Sequence, residues 1–266
     1  MQKKLVKKRA KKSLGQNFLV DENILKKIVE INIINSETEI IEIGPGTGNL
    51  TDYLIKKNPK KIFAIEKDKE LSKNLLNKYF GKAEIINEDI LKFFNYKIFN
   101  KNTIIIGNLP YNISSQILVK FILDNNFSFK ALIFMFQKEM ANRILAKVNS
   151  KDYGRLSILS NWRFQIEKLF DIKPSSFSPR PKVESSLLLF RDKIQRFHFR
   201  DSKNLEKITR IFFMHRRKMI KKPYNQLFNN NTNIASKIGI DLNSRPQNLD
   251  FEKYFQLTKE YEELRG

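Results

Sequence analysis

The stretch Glu42-Ile43-Gly44-Pro45-Gly46-Thr47-Gly48-Asn49-Leu50-Thr51 decides the fold. An apolar run from Glu39 to Ile43 leads into it and a helix leads out, so it reads as strand, glycine turn and helix start. Without side chains in the way, such a turn lets the backbone approach a ligand closely. Its spacing is Gly-x-Gly-x-Gly. The dinucleotide fingerprint Gly-x-Gly-x-x-Gly is not met, and the Lys-Ser/Thr ending of a P-loop is missing.

On either side of this turn, strand and helix signals alternate, the pattern of a parallel sheet with crossover helices. Asp21 is placed to cap a helix bearing Ile24, Leu25, Ile28 and Val29. Candidate buried strands are Glu39 to Ile43, Ile62 to Glu66, Glu84 to Asn87, Thr103 to Gly107, Ala131 to Phe136, Phe164 to Phe170 and Ser185 to Arg191. The last two leave little room for a helix between them, which predicts an antiparallel hairpin finishing the sheet. Beyond Arg191 the texture is helical: Leu205, Ile208, Phe212, His215 and Met219 recur at spacings of three and four, and Asp250 can cap a final helix. The reading is α/β, with a boundary between Asp192 and Ser202. It comprises a basic arm at 1–12, a seven-stranded Rossmann-like sheet domain at 13–195 and a small helical domain at 196–266.

Three successive strand ends carry chemistry. After the glycine turn, the second strand ends at Glu66, where a carboxylate can accept both hydroxyls of a ribose. The third runs into Asp89, suited to accept from an adenine amine. Together they fit an adenosyl group across the sheet edge, without separating S-adenosylmethionine from NAD. The fourth strand ends in Asn108-Leu109-Pro110-Tyr111. An exocyclic adenine amine is a poor nucleophile because its lone pair is delocalised into the ring. Acceptors for its hydrogens, here the Asn108 side-chain oxygen and the Leu109 carbonyl, favour the tetrahedral nitrogen that attacks a methyl group. Pro110 stiffens the turn and Tyr111 can stack on the base.

Composition narrows the chemistry. The 266 residues are 41% hydrophobic, enough for a substantial core without staples. Cysteine is absent, which excludes disulfides, thiolate metal sites and a cysteine nucleophile. The two histidines, His198 and His215, lie among basic residues and are read as exposed side chains, so neither a zincin nor a Ser/His/Asp triad is expected and no metal site is assigned. No apolar run reaches the ~18 residues of a membrane span and no secretory h-region follows the N-terminus, so the expected address is cytoplasmic. The net charge of +22 favours a polyanionic partner. Positive charge is concentrated at residues 1–12 and at 191–222, where twelve bases face three acids.

At these motifs the chain resembles the ribosomal RNA adenine dimethyltransferases. The match extends to Leu14-Gly15-Gln16-Asn17-Phe18-Leu19, Tyr153-Gly154-Arg155-Leu156-Ser157 and Phe177-Ser178-Pro179-Arg180-Pro181-Lys182-Val183-Glu184-Ser185. The resemblance implies a methyltransferase sheet domain with a helical C-terminal domain. It implies that Asn17, Leu19, Gly44, Glu66, Asp89 and Asn108 contact S-adenosylmethionine, along with Gly46 of the same loop, and that Phe177 joins Tyr111 around the target adenine. The implied reaction is dimethylation of two adjacent adenosines near the 3′ end of small-subunit RNA. The implied partner is a pre-assembled small ribosomal subunit; a monomer is the default expectation, and no membrane partner is expected. Residues 215–223 depart from the family's Arg/Lys run. Arg155 is read as an RNA-backbone contact. The alternatives are the large-subunit adenine methyltransferases of macrolide resistance, an assembly factor acting by binding, and a nicotinamide oxidoreductase, which leaves the Asn108 turn unexplained.

Overall fold

Each of the seven apolar runs becomes a strand in the computed structural model, which describes residues 16–31, 34–93 and 95–266. The expected basic arm at 1–12 lies outside the described residues. In chain order the elements are β1 (Phe18–Leu19), α1 (Glu22–Val29), β2 (Glu39–Ile43), α2 (Asn49–Lys56), β3 (Lys61–Ile65), α3 (Lys69–Lys78), β4 (Glu84–Ile86), β5 (Thr103–Asn108), α4 (Ser114–Leu123), β6 (Ala131–Gln137), α5 (Lys138–Leu145), α6 (Arg155–Arg163), β7 (Phe164–Ile172), β8 (Phe177–Ser178), β9 (Ser185–Asp192), α7 (Lys203–Phe213), α8 (Lys221–Phe228), α9 (Thr232–Ile238) and α10 (Phe251–Glu263).

The sheet order is β4-β3-β2-β5-β6-β9-β7. From β4 to β6 each neighbouring pair is parallel. The chain steps outward from β2 through β3 to β4, then returns to lay β5 against the other side of β2. That reversal opens a crevice at the C-terminal ends of β2 and β5, where α/β sheets bind ligands. Register aligns the strand ends there, with Ile43 opposite both Ile65 and Gly107. A Cβ at Gly107 would lie 2.9 Å from the Ile43 carbonyl oxygen, so only glycine permits this close approach. Ile40, Ile41, Ile104, Ile105, Leu132 and Ile133 are fully buried, each worth about 1.5–3 kcal/mol relative to exposure. Continuous apolar strands are what a sheet covered on both faces demands.

The chain forms two compact units. The first comprises the described parts of 1–114 with 128–138 and 169–188; the second comprises 115–127, 139–168 and 189–266. In the first, Asp21 caps α1 by accepting from the Asn23 and Ile24 amides, as its position predicts. β9 lies between β6 and β7 in the sheet, so the two late strands are neighbours. Their connection holds β8, which pairs antiparallel with β1: Phe18 faces Ser178 and Leu19 faces Phe177. Two-residue strands show no period, so nothing in the sequence pattern announces this pair.

The second unit is organised by an internal cation and an aromatic core. Arg163, 1% exposed, donates to the carbonyl oxygens of Phe121 (2.6 Å), Asp124 (3.0 Å) and Phe127 (3.1 Å) and pairs with Asp192 at 2.9 Å. It thereby bonds backbone carbonyls in the last turn of α4 and just beyond it. Phe212 meets Tyr254 edge-on, Tyr224 stacks on Phe228, and Phe228 meets Tyr261. The helical period predicted through Met219 stops at Phe213: Leu205, Ile208 and Phe212 are buried, whereas His215 is exposed and Met219 is 58% exposed. The reason is tertiary. Arg216 turns to donate to the Ser150 carbonyl and the Gln247 side chain, and the Ile220 amide bonds to Ser244, pulling the chain off the helix axis.

The Tyr153-Gly154-Arg155 motif is structural. Tyr153 is fully buried and its hydroxyl donates to the Leu249 carbonyl at 2.8 Å, while Gly154 caps α6 with Ser157. Arg155, read as an RNA-backbone contact, is partly exposed and pairs with Glu206 at 3.5 Å.

Candidate active site

The glycine turn, β1 and the end of β5 line one pocket in the first unit. Phe18, Leu19, Glu42, Gly44, Asn49 and Asn108 are among its lining residues. Among the described residues one acid and no Lys or Arg line this pocket, in a chain of net charge +22. Such a lining suits a ligand with a positive centre.

Backbone close-packing shapes the pocket. Gly46 has φ +61°, and a Cβ there would fall 2.7 Å from the Phe18 ring, so the loop and β1 meet only because the side chain is absent. Two side-chain amides tie β1 and its neighbour down: Asn49 donates to the Leu19 carbonyl at 2.7 Å, and Asn108 donates to the Asn17 carbonyl at 2.7 Å. The second bond commits the Asn108 nitrogen and leaves its oxygen to accept a hydrogen. That is the polarity required to hold an amine N–H.

The acids occupy distinct environments. Glu66 is buried, accepting from the Gly46 amide at 3.1 Å and the Asp68 amide at 2.8 Å; burial raises its pKa against those bonds. Glycine loop and second strand end are thus one bonded unit. Asp89 accepts from the Leu91 amide and pairs with Lys67 at 2.8 Å. Burial pulls its pKa up, but the Lys67 ammonium and the Leu91 amide outweigh this and hold it below the usual carboxylate range. Glu42, 2% exposed, bonds the Thr51 hydroxyl at 2.6 Å, and burial lifts its pKa to about 7.

On the acceptor side, Leu109 is buried and Tyr111 is half-buried, its hydroxyl sharing a 2.8 Å hydrogen bond with Ser185. Phe177 is 3% exposed, and neither it nor Tyr111 lines the pocket. The loop after Phe177 is fixed by Lys138, whose ammonium bonds Glu184 at 2.6 Å and Asp171 at 3.3 Å.

The structure therefore gathers Leu19, Gly44 and Asn108 around one pocket, bonds Gly46 to Glu66 and Asn17 to Asn108, and leaves Asp89 on a neighbouring strand end. Sequence reasoning assigned no role to Glu42 or Asn49. The signals available were an acid two residues before the first glycine and an amide opening the helix after the last. Among the described residues no group of three His, Cys, Asp or Glu side chains could hold a metal ion, and no helix is long and apolar enough to cross a membrane.

The model of a family described as ribosomal RNA adenine dimethylase matches residues 7–263. The ribosomal RNA small subunit methyltransferase A of Pelagibacter ubique is 56% identical over 260 residues, covering 97% of this chain and 99% of that protein. A dimethyladenosine transferase from Plasmodium falciparum superposes with a TM-score of 0.75 at 28% identity, covering 92% of this chain and 98% of that one. The 23S rRNA methyltransferase ErmE shares the fold, with a TM-score of 0.67 at 21% identity over 92% of this chain and 99% of its own.

Proposed function

Because this chain belongs to the ribosomal RNA adenine dimethylase family, we propose that its β5 edge presents an adenine amine for methyl transfer, with Asn108 as the residue that orients the nitrogen. The enzyme is an S-adenosylmethionine-dependent adenine dimethyltransferase of small-subunit ribosomal RNA. The observation that supports the residue-level reading is the Asn108 amide at the pocket wall: its nitrogen donates to the Asn17 carbonyl, which leaves its oxygen to serve as an acceptor.

When bound, S-adenosylmethionine supplies a methyl group already activated on a positive sulfur. The chain then has to align, not to ionise. Reacting atoms held ~3–3.5 Å apart and in line can provide most of the acceleration without a strong general base. Gly44, Gly46, Asn17 and Leu19 present backbone to the donor, Glu66 takes its ribose and Asp89 its adenine amine. Asn108 and the Leu109 carbonyl accept the hydrogens of the target amine, Pro110 fixes their turn, and Tyr111 and Phe177 stack on the extruded base. Extrusion costs a few kcal/mol, which stacking of ~1–3 kcal/mol per aromatic offsets. Since Phe177 is buried between its neighbours, its cover has to move for a base to reach it.

The helical region from residue 196 grips the RNA backbone. Arg217, Lys218, Lys221, Lys222 and Arg245 line one open groove there, a concentration of cations suited to phosphates. The partner is a nearly assembled small subunit, met by a monomer in the cytoplasm, and two adjacent adenosines near the 3′ end of its RNA are each dimethylated. Incubation with labelled S-adenosylmethionine and unmethylated small subunits, followed by mapping of the label, tests the reading. Label at two adjacent small-subunit adenosines is expected; label confined to large-subunit RNA overturns it.

A further inference from the structure

Glu42 is a buried acid that the methyl-transfer scheme leaves unused. It sits at the end of β2, two residues before the first glycine, and lines the same pocket as Gly44 and Asn108. Its surroundings are unusually poor in compensation. β2 packs between β3 and β5, and the residues facing Glu42 in register are the apolar Ala64 and Ile106. From α2, the Thr51 hydroxyl donates to it and Asp52 repels it; from the end of β3, Glu66 repels it; from α3 and its cap come Lys78, which attracts it, and the neutral Tyr79. A carboxylate there gains one hydroxyl and one distant ammonium, set against burial and two acids. Among the described residues the pocket supplies no Lys or Arg.

A buried acid with no ion pair among the described residues, at the wall of a pocket proposed to receive a cation, has its charge decided by what the pocket holds. We propose that Glu42 distinguishes donor from product by charge: it ionises when the pocket holds the sulfonium of S-adenosylmethionine and stays neutral when the pocket holds the uncharged thioether left after transfer. The proton lost on donor binding goes to solvent and is regained after methyl transfer, so each turnover weakens the hold on its own product. This rests on the assignment of S-adenosylmethionine as donor. Burial sets the ionisation of the free acid near pH 7, with Thr51 pulling it down and Glu66 and Asp52 pushing it up, so the exchange falls in the physiological range.

Calorimetric titration of the full chain at pH 7, in buffers of low and high ionisation enthalpy, counts protons released on binding S-adenosylmethionine or S-adenosylhomocysteine. Comparing wild type with Glu42→Gln for each ligand cancels the ionisation of the ligand itself. Wild type is expected to release about half a proton more than Glu42→Gln with S-adenosylmethionine and no more with S-adenosylhomocysteine; its preference for donor over product should fall roughly tenfold in the variant. Equal proton counts for the two proteins with S-adenosylmethionine, or the same excess with both ligands, overturn the proposal. Should Glu42→Gln fail to fold, Thr51→Val serves. Loss of the hydroxyl must move the midpoint of donor-linked proton release to higher pH, and an unmoved midpoint overturns the proposal. If wild type binds neither ligand, the donor assignment itself fails and this inference goes with it.

Discussion

The donor pocket and the basic groove of the helical region use charge in opposite ways. Around the glycine turn the ionisable groups are buried acids, each tied to named donors: Glu66 to two backbone amides, Glu42 to Thr51, and Asp89, less buried, to Lys67. Around α8 they are cations, Arg217, Lys218, Lys221 and Lys222, lying exposed or partly exposed along an open groove. The first region recognises by shape, because one methyl group at Gly46 or Gly107 would collide with its neighbour. The second attracts by summed field, to which each side chain adds a similar, salt-sensitive increment. Substitutions should therefore act singly and steeply in one region, and gradually in the other.

The largest effect belongs to Asn108→Ala. Single-turnover methylation of small subunits should fall by roughly 10²–10³-fold, the usual cost of removing a group that stabilises developing charge. Subunit affinity, measured by co-sedimentation, should stay within about twofold. A near-normal rate would strip the pocket of its assigned specificity.

Next comes the pH dependence of the donor-free protein. The folded-state pKa of Glu42 is raised to about 7, above its value of about 4.5 in an unfolded chain. The native state therefore binds the extra proton, and stability is lost as pH rises through that interval. From pH 5 to 8, wild type should lose about 2–3 kcal/mol relative to Glu42→Gln in urea unfolding. Parallel curves for the two proteins would mean that the pocket does not hold a neutral acid.

In the basic groove, Lys221→Ala combined with Lys222→Ala should weaken small-subunit binding only about tenfold at low salt and reduce the salt slope by roughly one to two. The rate at saturating subunits should hardly change. A steep, salt-independent loss would erase the contrast with the donor pocket. Smallest of all, Tyr111→Phe removes the hydrogen bond to Ser185 while keeping the ring, and should cost about 0.5–1.5 kcal/mol in stability, with methylation reduced no more than a few-fold.

What the sequence made legible follows the same division. Buried parallel strands must be apolar along most of their length, so β2, β3, β5 and β6 stand out as runs, and the glycine turn declares itself because its backbone geometry disfavours other residues. The caps at Asp21 and Asp250 were readable from a single residue ahead of an apolar period. Contacts made across long separations were not. The β1–β8 pair joins segments some 160 residues apart through two residues each, too short for any periodicity. Glu42 looked like one polar position in a strand, since nothing local shows that β3 and β5 bury it. The helical wheel carried α7 past its true end at Phe213, because spacing cannot register the tertiary bonds of Arg216 and Ile220 that break it. Tyr153 and Gly154 stood out as part of a motif, and they hold the segment around Leu249 and the start of α6 through bonds that no local pattern announces.

The short segment Asn17-Phe18-Leu19 is held from three directions, by Asn108, by Asn49 and by the backbone of Phe177 and Ser178. One tripeptide thus belongs at once to the wall of the proposed donor pocket and to the partner strand of β8, which carries the aromatic proposed for the base. A mutation at residue 18 is consequently read twice, and a lineage that altered its taste for one ligand would disturb its fit to the other. The two specificities are obliged to evolve in step.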